Sequence, residues 1–494
     1  MVTTNEARTG GPAGSPQSLI ESQLPTGLYR LEADVRDCQV EGKIPADLNG
    51  AFYRVGPDAQ YPLHPRNIPF DGEGHVSMFR IRNGRVDYRS RYVRNERYQA
   101  QYAAGRLLFP IYRNPSQDDP SVIGLSRSTA NTHIINHGKL LLALKEDSPP
   151  SALDLLTLDT VVPNYTFDGK LPSKTFTAHP KRDPLTGNLV AFGYEAEGFG
   201  SSVVSMFEIN GNGKVVWNAK VQVPYVGLLH DFAVTQKHIA FYVIPLAFDE
   251  AQMQRGGIHW SWDGTRPTYL GFMRRGGDGR DIRWLQGPTR SATHVLGAFD
   301  DAEKLIIDVE MSLSNPFPFV PMRDGSQWSP VAGASHITRL TVDLAPREPS
   351  AYAIEQMYPH IGGLPRQDDR YHTMPYRIGF LPCPDPAVPD TRAANACYAR
   401  FDHQNRSATL YNAGPGTLLA ECCFAPHSPN AAEGAGYLLG VATRQKEGGR
   451  ADLLILDAER LADGPIATVK LPMRAVGQIH GWWVPEDQLP NAAA

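Results

Sequence analysis

Short apolar runs, each cut off by turn residues, recur along nearly the whole chain, and this limits the fold more than any other feature. "GAFYRVG", "GHVSMFRIRNGRVDYRSRYV", "GNLVAFGYE", "GKVVWNAKVQV" and "HIAFYVIPL" are examples. In "RIRNGRVDYR" an Asn-Gly pair divides two alternating segments, which is a hairpin signal because both turn positions need positive φ. "EINGNGKVVW" reads as a second hairpin. The 45 Gly and 41 Pro supply the punctuation. Helical periodicity is scarce, and "NERYQAQYAAGRLL" is its best example. No low-complexity block divides the middle of the chain. One large all-β unit is therefore expected over residues 26–486, with tails at 1–25 and 487–494. Hairpins repeated over so long a chain suit a β-propeller better than a sandwich, since radial repetition hides sheet edges. No WD or kelch signature marks the repeats, so blade number cannot be read from them.

Charge and cysteine content narrow the function classes. A net charge of −4 over 494 residues, with no long Lys/Arg run, argues against a nucleic-acid partner. No stretch approaches the roughly 18 apolar residues of a membrane span, and "MVTTNEARTGGPAGSPQSL" lacks the apolar centre of a secretory signal. The five cysteines, Cys38, Cys383, Cys397, Cys422 and Cys423, are odd in number and form no CxxC pair. That disfavours a disulfide framework or a thiolate zinc site, and a reduced cytoplasmic setting is expected.

Of the fifteen histidines, nine fall into two groups. His64, His259, His360, His403 and His427 lie in polar or Pro/Gly-rich surroundings and read as surface loop residues. His179, His230, His294 and His480 each abut a turn or strand, at gaps of 51, 64 and 186 residues, the last being three times 62. One histidine per blade, with some blades skipped, would give such gaps. On spacing alone the ligand and core readings stand level. Asp231, beside His230, is expected to hold a local turn or a backbone hydrogen bond.

"TAHPKRDPLTG", "LLHDFAVT", "HVLGAFD" and "IHGWW", in that order, resemble the carotenoid cleavage oxygenase family, and the likeness runs from "GKIPADLNGAFYRVGP" and "FDGEGHVSMF" to "VKLPMRAVGQIHGWW". The resemblance implies a seven-bladed β-propeller under a dome of loops and short helices. It further implies an axial Fe(2+) held by His179, His230, His294 and His480, and cleavage of a conjugated C=C by O2. Four imidazoles suit Fe(2+), whereas zinc prefers closed tetrahedral sites and has no redox chemistry. By the same resemblance Glu146 and Glu421 accept hydrogen bonds from ligand histidines. The third such position falls on Gly363, two residues before Pro365, which would leave His294 without a carboxylate unless Asp368 or Asp369 substitutes.

"FPIYRNPSQDDPSV" and "LALKEDSPP" resemble the lignostilbene and isoeugenol oxygenases of that family. In that subgroup a Tyr and a Lys, here Tyr112 and Lys145, bind the substrate's 4-hydroxyl. Phe70, Phe317 and Phe319 are expected as aromatic walls, and the "DGEG" glycines as a tight hairpin turn. The expected activity is cleavage of the side-chain alkene of 4-hydroxyphenyl substrates (lignostilbene, isoeugenol or 4-vinylguaiacol type) to aldehydes such as vanillin. An apocarotenoid-cleaving enzyme is the alternative within the family. A metal-free or zinc-bound binding module is the alternative outside it. The expected partners are the phenolic alkene and O2, with no nucleic acid or membrane, in a monomer or homodimer.

Overall fold

The computed structural model describes residues 30–345, 349–388 and 394–490. The whole expected N-terminal tail, residues 1–25, and residues 491–494 of the C-terminal one lie outside this range. Seven antiparallel sheets of four or five strands follow one another along the chain as the blades of a propeller. Their innermost strands, in order, are His480–Pro485, His133–His137, Lys181–Arg182, Phe232–Val234, Ser291–Asp301, Arg366–Gln367 and Thr417–Pro426. The ring closes twice. His480–Pro485, from the C-terminal end, pairs with Gly50–Asp58 to complete blade one, and Gln39–Gly42, from the N-terminal end, pairs with Pro465–Arg474 to complete blade seven.

Local sequence explains the elements. The strands Glu73–Arg82 and Arg85–Tyr92 join through Asn83 and Gly84, both with positive φ (52° and 74°), as the Asn-Gly hairpin requires. Val203–Ile209 and Val215–Gln222 form the second expected hairpin. The helix Glu96–Ala104 starts where the Asn95 side chain accepts from the Tyr98 N–H and stops at left-handed Gly105. The "DGEG" glycines do not turn a hairpin. The strand Glu73–Arg82 begins within them, and a Cβ on Gly74 would lie 2.2 Å from the Ala130 carbonyl oxygen. Here glycine allows two backbones to approach closely.

The apolar core is distributed between neighbouring blades. Phe52, Phe79, Leu439 and Ile455 fill the gap between blades one and seven, for example, and Phe380, Phe424 and Leu438 that between six and seven. Long connections carry short helices and the two-stranded sheet Leu246–Phe248 with Trp260–Trp262 over one end of the axis. His259, expected at the surface, lies in that cover and is fully buried against Trp260, Phe199 and Phe248. The Gly-rich segment before it folds inward beneath the cover. His64, His360, His403 and His427 are partly exposed. Among the described residues no helix is long and apolar enough to cross a membrane. Leu489, just past the last blade strand, is buried beside Val484.

Arg54 secures the closure. Its fully buried guanidinium donates to the carbonyls of Glu421 (2.5 Å), Gln478 (3.3 Å) and Ile479 (3.2 Å) and lies 3.6 Å from the Glu421 carboxylate. Removing one partner of a buried charge cluster typically costs about 3–5 kcal/mol. Arg54→Met is expected to lower the free energy of unfolding, read from urea titration, by an amount in that range, and an unchanged value would contradict this role.

Candidate metal centre

Inner strands of a propeller converge, so one residue near the end of each can reach the axis. His179 precedes Lys181–Arg182, His230 precedes Phe232–Val234, His294 lies at an irregularity in Ser291–Asp301, and His480 opens His480–Pro485. They come from blades three, four, five and one; the gap of three times 62 passes over blades six and seven, and blade two also contributes none of the four. One ring nitrogen from each lies within 4.8 Å of the others. Nε2 of His230 is 3.1 Å from Nε2 of His179 and 3.0 Å from that of His294.

The carboxylates behind the rings determine what those nitrogens carry. Glu146 holds Nδ1 of His230, Glu310 holds Nδ1 of His294 at 2.7 Å, and Glu421 holds Nδ1 of His480 at 2.8 Å. Burial pushes Glu146 up, but His230, Lys145 and Arg113 outweigh it and hold the carboxyl down at about 2. Burial likewise opposes ionisation of Glu421, and His480, Arg366 and Arg54 hold it at about 2. Glu310 is lowered by His294 against its burial. Ionised carboxylates only accept, so each Nδ1 donates and each opposing Nε2 presents a lone pair. The rings of His230 and His294, each held at Nδ1 by a carboxylate, thus bring their Nε2 atoms together at 3.0 Å, and Nε2 of His480 has no partner. Burial drives His480 down to about 4 despite Glu421, whereas Glu310 raises His294 against its burial. Converging imidazole nitrogens with buried anions behind them fit a divalent cation.

Glu310 corrects the expectation for Gly363. His294 has its carboxylate, supplied from the neighbouring strand Lys304–Ser312 rather than from residue 363. Neither Asp368 nor Asp369 replaces it: Asp368 pairs with Arg370, and Asp369 with Arg366 and His372. A Cβ on Gly363 would lie 2.8 Å from Oε1 of Glu310, so glycine leaves room for that carboxylate. Among the described residues it is His179 that has no carboxylate within ion-pair reach. Sequence reading also passed over His133, the inner residue of blade two, whose ring lies 5.2 Å from that of His480. Asp231 serves the backbone, accepting from the N–H groups of Phe232 and Val295 while paired with Lys181 at 2.7 Å.

A cavity of about 360 Å³ opens onto the cluster and is lined by His230, His294, His480, Tyr112, Thr132, Lys145, Phe70, Phe317 and Phe319 among others. The three phenylalanines form one wall, Phe319 lying edge-on to Phe70 at 5.1 Å and tilted against Phe317 at 5.5 Å. Lys145 is only 6% exposed, and its Nζ reaches Asn131 Oδ1 and Thr132 Oγ1, both at 3.3 Å. It also lies 5.2 Å from the Tyr112 ring. Among the described residues no carboxylate lies within ion-pair distance of it. Burial keeps the Tyr112 hydroxyl well above its ordinary titration range, so it remains a neutral donor.

Comparison with known proteins agrees with this geometry. Residues 29–485 match the family described as retinal pigment epithelial membrane protein. The chain is 38% identical to lignostilbene-alpha,beta-dioxygenase isozyme III of Sphingomonas paucimobilis, over 94% of this chain and 96% of that protein. It is 37% identical to isoeugenol monooxygenase of Pseudomonas nitroreducens, over 94% and 98%. The crystal structure of Pseudomonas brassicacearum lignostilbene dioxygenase superposes with a TM-score of 0.88 at 37% identity, covering 92% of this chain and 96% of that one.

Because Glu310 fills the space beside Gly363, Gly363→Ala is expected to dislodge the carboxylate from His294. Loss of such a partner typically weakens metal binding about 10–100-fold. Metal release to a chelator, followed in wild type and variant, is the measurement. Equal rates would show that Glu310 can yield without loss.

Proposed function

The chain belongs to the carotenoid cleavage oxygenase family, the family of the retinal pigment epithelial membrane protein, and from that membership we propose that it is an Fe(2+) dioxygenase. It splits the side-chain double bond of 4-hydroxyphenyl alkenes, of lignostilbene, isoeugenol or 4-vinylguaiacol type, into aldehydes, vanillin among them. The observation that carries this reading is Lys145: an ammonium buried in an apolar cavity beside the histidines, with no carboxylate partner among the described residues. A buried unpaired cation is costly unless its ligand supplies the missing charge. A phenolate does so, whereas a hydrocarbon polyene does not, which disfavours the apocarotenoid alternative.

In this reading His179, His230, His294 and His480 would hold the iron, which would supply the redox chemistry for O2 activation. Glu146, Glu310 and Glu421 fix the tautomer and plane of three of the rings. Tyr112 and Lys145 donate to the 4-oxygen, and Lys145 stabilises the phenolate once its proton is lost. That charge spreads through the ring into the conjugated alkene and makes it electron-rich. Phe70, Phe317 and Phe319 keep the flat substrate in line and exclude water from the cavity. One O2 is consumed per alkene, with one oxygen atom ending on each carbon of the broken bond.

About one iron per chain is expected, and His230→Ala is expected to lose it, as metal analysis of the purified proteins would show. Full iron and activity in that variant would overturn the ligand assignment.

The phenol test is independent of the metal. Methylating the 4-hydroxyl of the substrate and replacing Lys145 with Met should each cost roughly 2–4 kcal/mol, about 30- to 1000-fold in rate. Equal rates on free and methylated phenols would refute the phenolate mechanism.

A further inference from the structure

The three carboxylates behind the histidines are not steadied alike. Glu310 takes its other hydrogen bond from the backbone N–H of Leu364 (3.2 Å), and Glu421 from that of Gly481 (2.8 Å). Oε2 of Glu146 instead takes the hydroxyl of Tyr194, at 3.0 Å. Tyr194 is held in turn by Arg113, whose guanidinium donates to the phenol oxygen at 2.9 Å and pairs with Glu195. Glu195 also accepts from the Gly200 N–H at 2.6 Å. The Arg113 guanidinium lies 5.2 Å from the rings of both Tyr194 and Trp260. Arg113, Tyr194 and Glu195 are 4%, 2% and 2% exposed, so little water reaches them. Arg113 and Glu195 both sit in left-handed backbone (φ 49° and 51°), unusual for non-glycine residues and a sign that the surrounding structure dictates their placement.

The arrangement has a second consequence because Glu146 follows Lys145 in the chain and both line the same cavity. A Glu146 with a spare oxygen would be the nearest competitor for the Lys145 ammonium. With Oε1 on His230 and Oε2 on Tyr194, Glu146 has a partner on each oxygen. We propose that Tyr194, clamped by Arg113, is a positioning residue that holds Glu146 on His230 and so keeps Lys145 out of a carboxylate pair and open to a phenol. The Lys145 half of this inference rests on the function proposed above, and the His230 half does not.

The test uses Tyr194→Phe and, in case that variant fails to fold, Arg113→Lys, which keeps the tyrosine and the positive charge but loses the planar fork. Two readouts are taken on the Co(2+)-loaded proteins, so neither depends on turnover: release of the ion to a chelator, and binding of 4-ethylphenol, a phenol with no alkene to cleave. Tyr242→Phe, a buried tyrosine paired with Tyr352 away from the histidines, is the control. Tyr194→Phe is expected to release metal about 10–100-fold faster and to bind 4-ethylphenol at least several-fold more weakly. Arg113→Lys should fall between it and wild type, and Tyr242→Phe should match wild type. Metal release at the wild-type rate in both Tyr194→Phe and Arg113→Lys would overturn the proposal. Faster release from the variants, with 4-ethylphenol bound by neither them nor the wild-type protein, would uphold the positioning of His230 while refuting the phenolic function.

Discussion

Three ionised carboxylates buried against imidazole Nδ1 atoms are the interactions on which the rest of the site depends. Each turns a histidine so that its other nitrogen presents a lone pair to the axis, and together they surround the cation site with negative charge. Such charge cannot be left uncompensated in a protein interior. Arg54 and Arg366 therefore lie beside Glu421, while Arg113 stands behind the tyrosine that holds Glu146. Arg54 has a further duty, since it joins the first blade to the last.

A propeller suits this design because its inner strands arrive from all sides. Each blade needs to contribute only one or two polar residues to the axis while its faces remain apolar and pack on the neighbouring blades. The four histidines are thus carried by strand ends fixed by the apolar packing between blades.

Much of this was legible in the sequence, for identifiable reasons. Hairpins announce themselves locally, as Asn83 and Gly84 do through the φ values their turn demands. The four axial histidines were legible through the motifs that carry the family resemblance, since their gaps count blades but leave the ligand and core readings level. Glu310 was not, because "LIIDVEMS" reads as an ordinary buried strand. A carboxylate amid that apolar run was the available signal. The motif pointed to position 363, but Glu310 reaches the same small volume from the adjacent strand, and only folding makes the two positions equivalent. His259 was misplaced for a related reason: its Gly-rich neighbours suggest a surface turn, while the cover above the axis buries it.

The double closure of the ring bears on how such a protein is made. His480 opens the final blade strand, so a ribosome must translate nearly the whole chain before the fourth imidazole exists outside the exit tunnel. Until then a nascent chain can offer at most three of the four histidines, around an unfinished ring. Without that last strand the four-histidine cluster is one imidazole short.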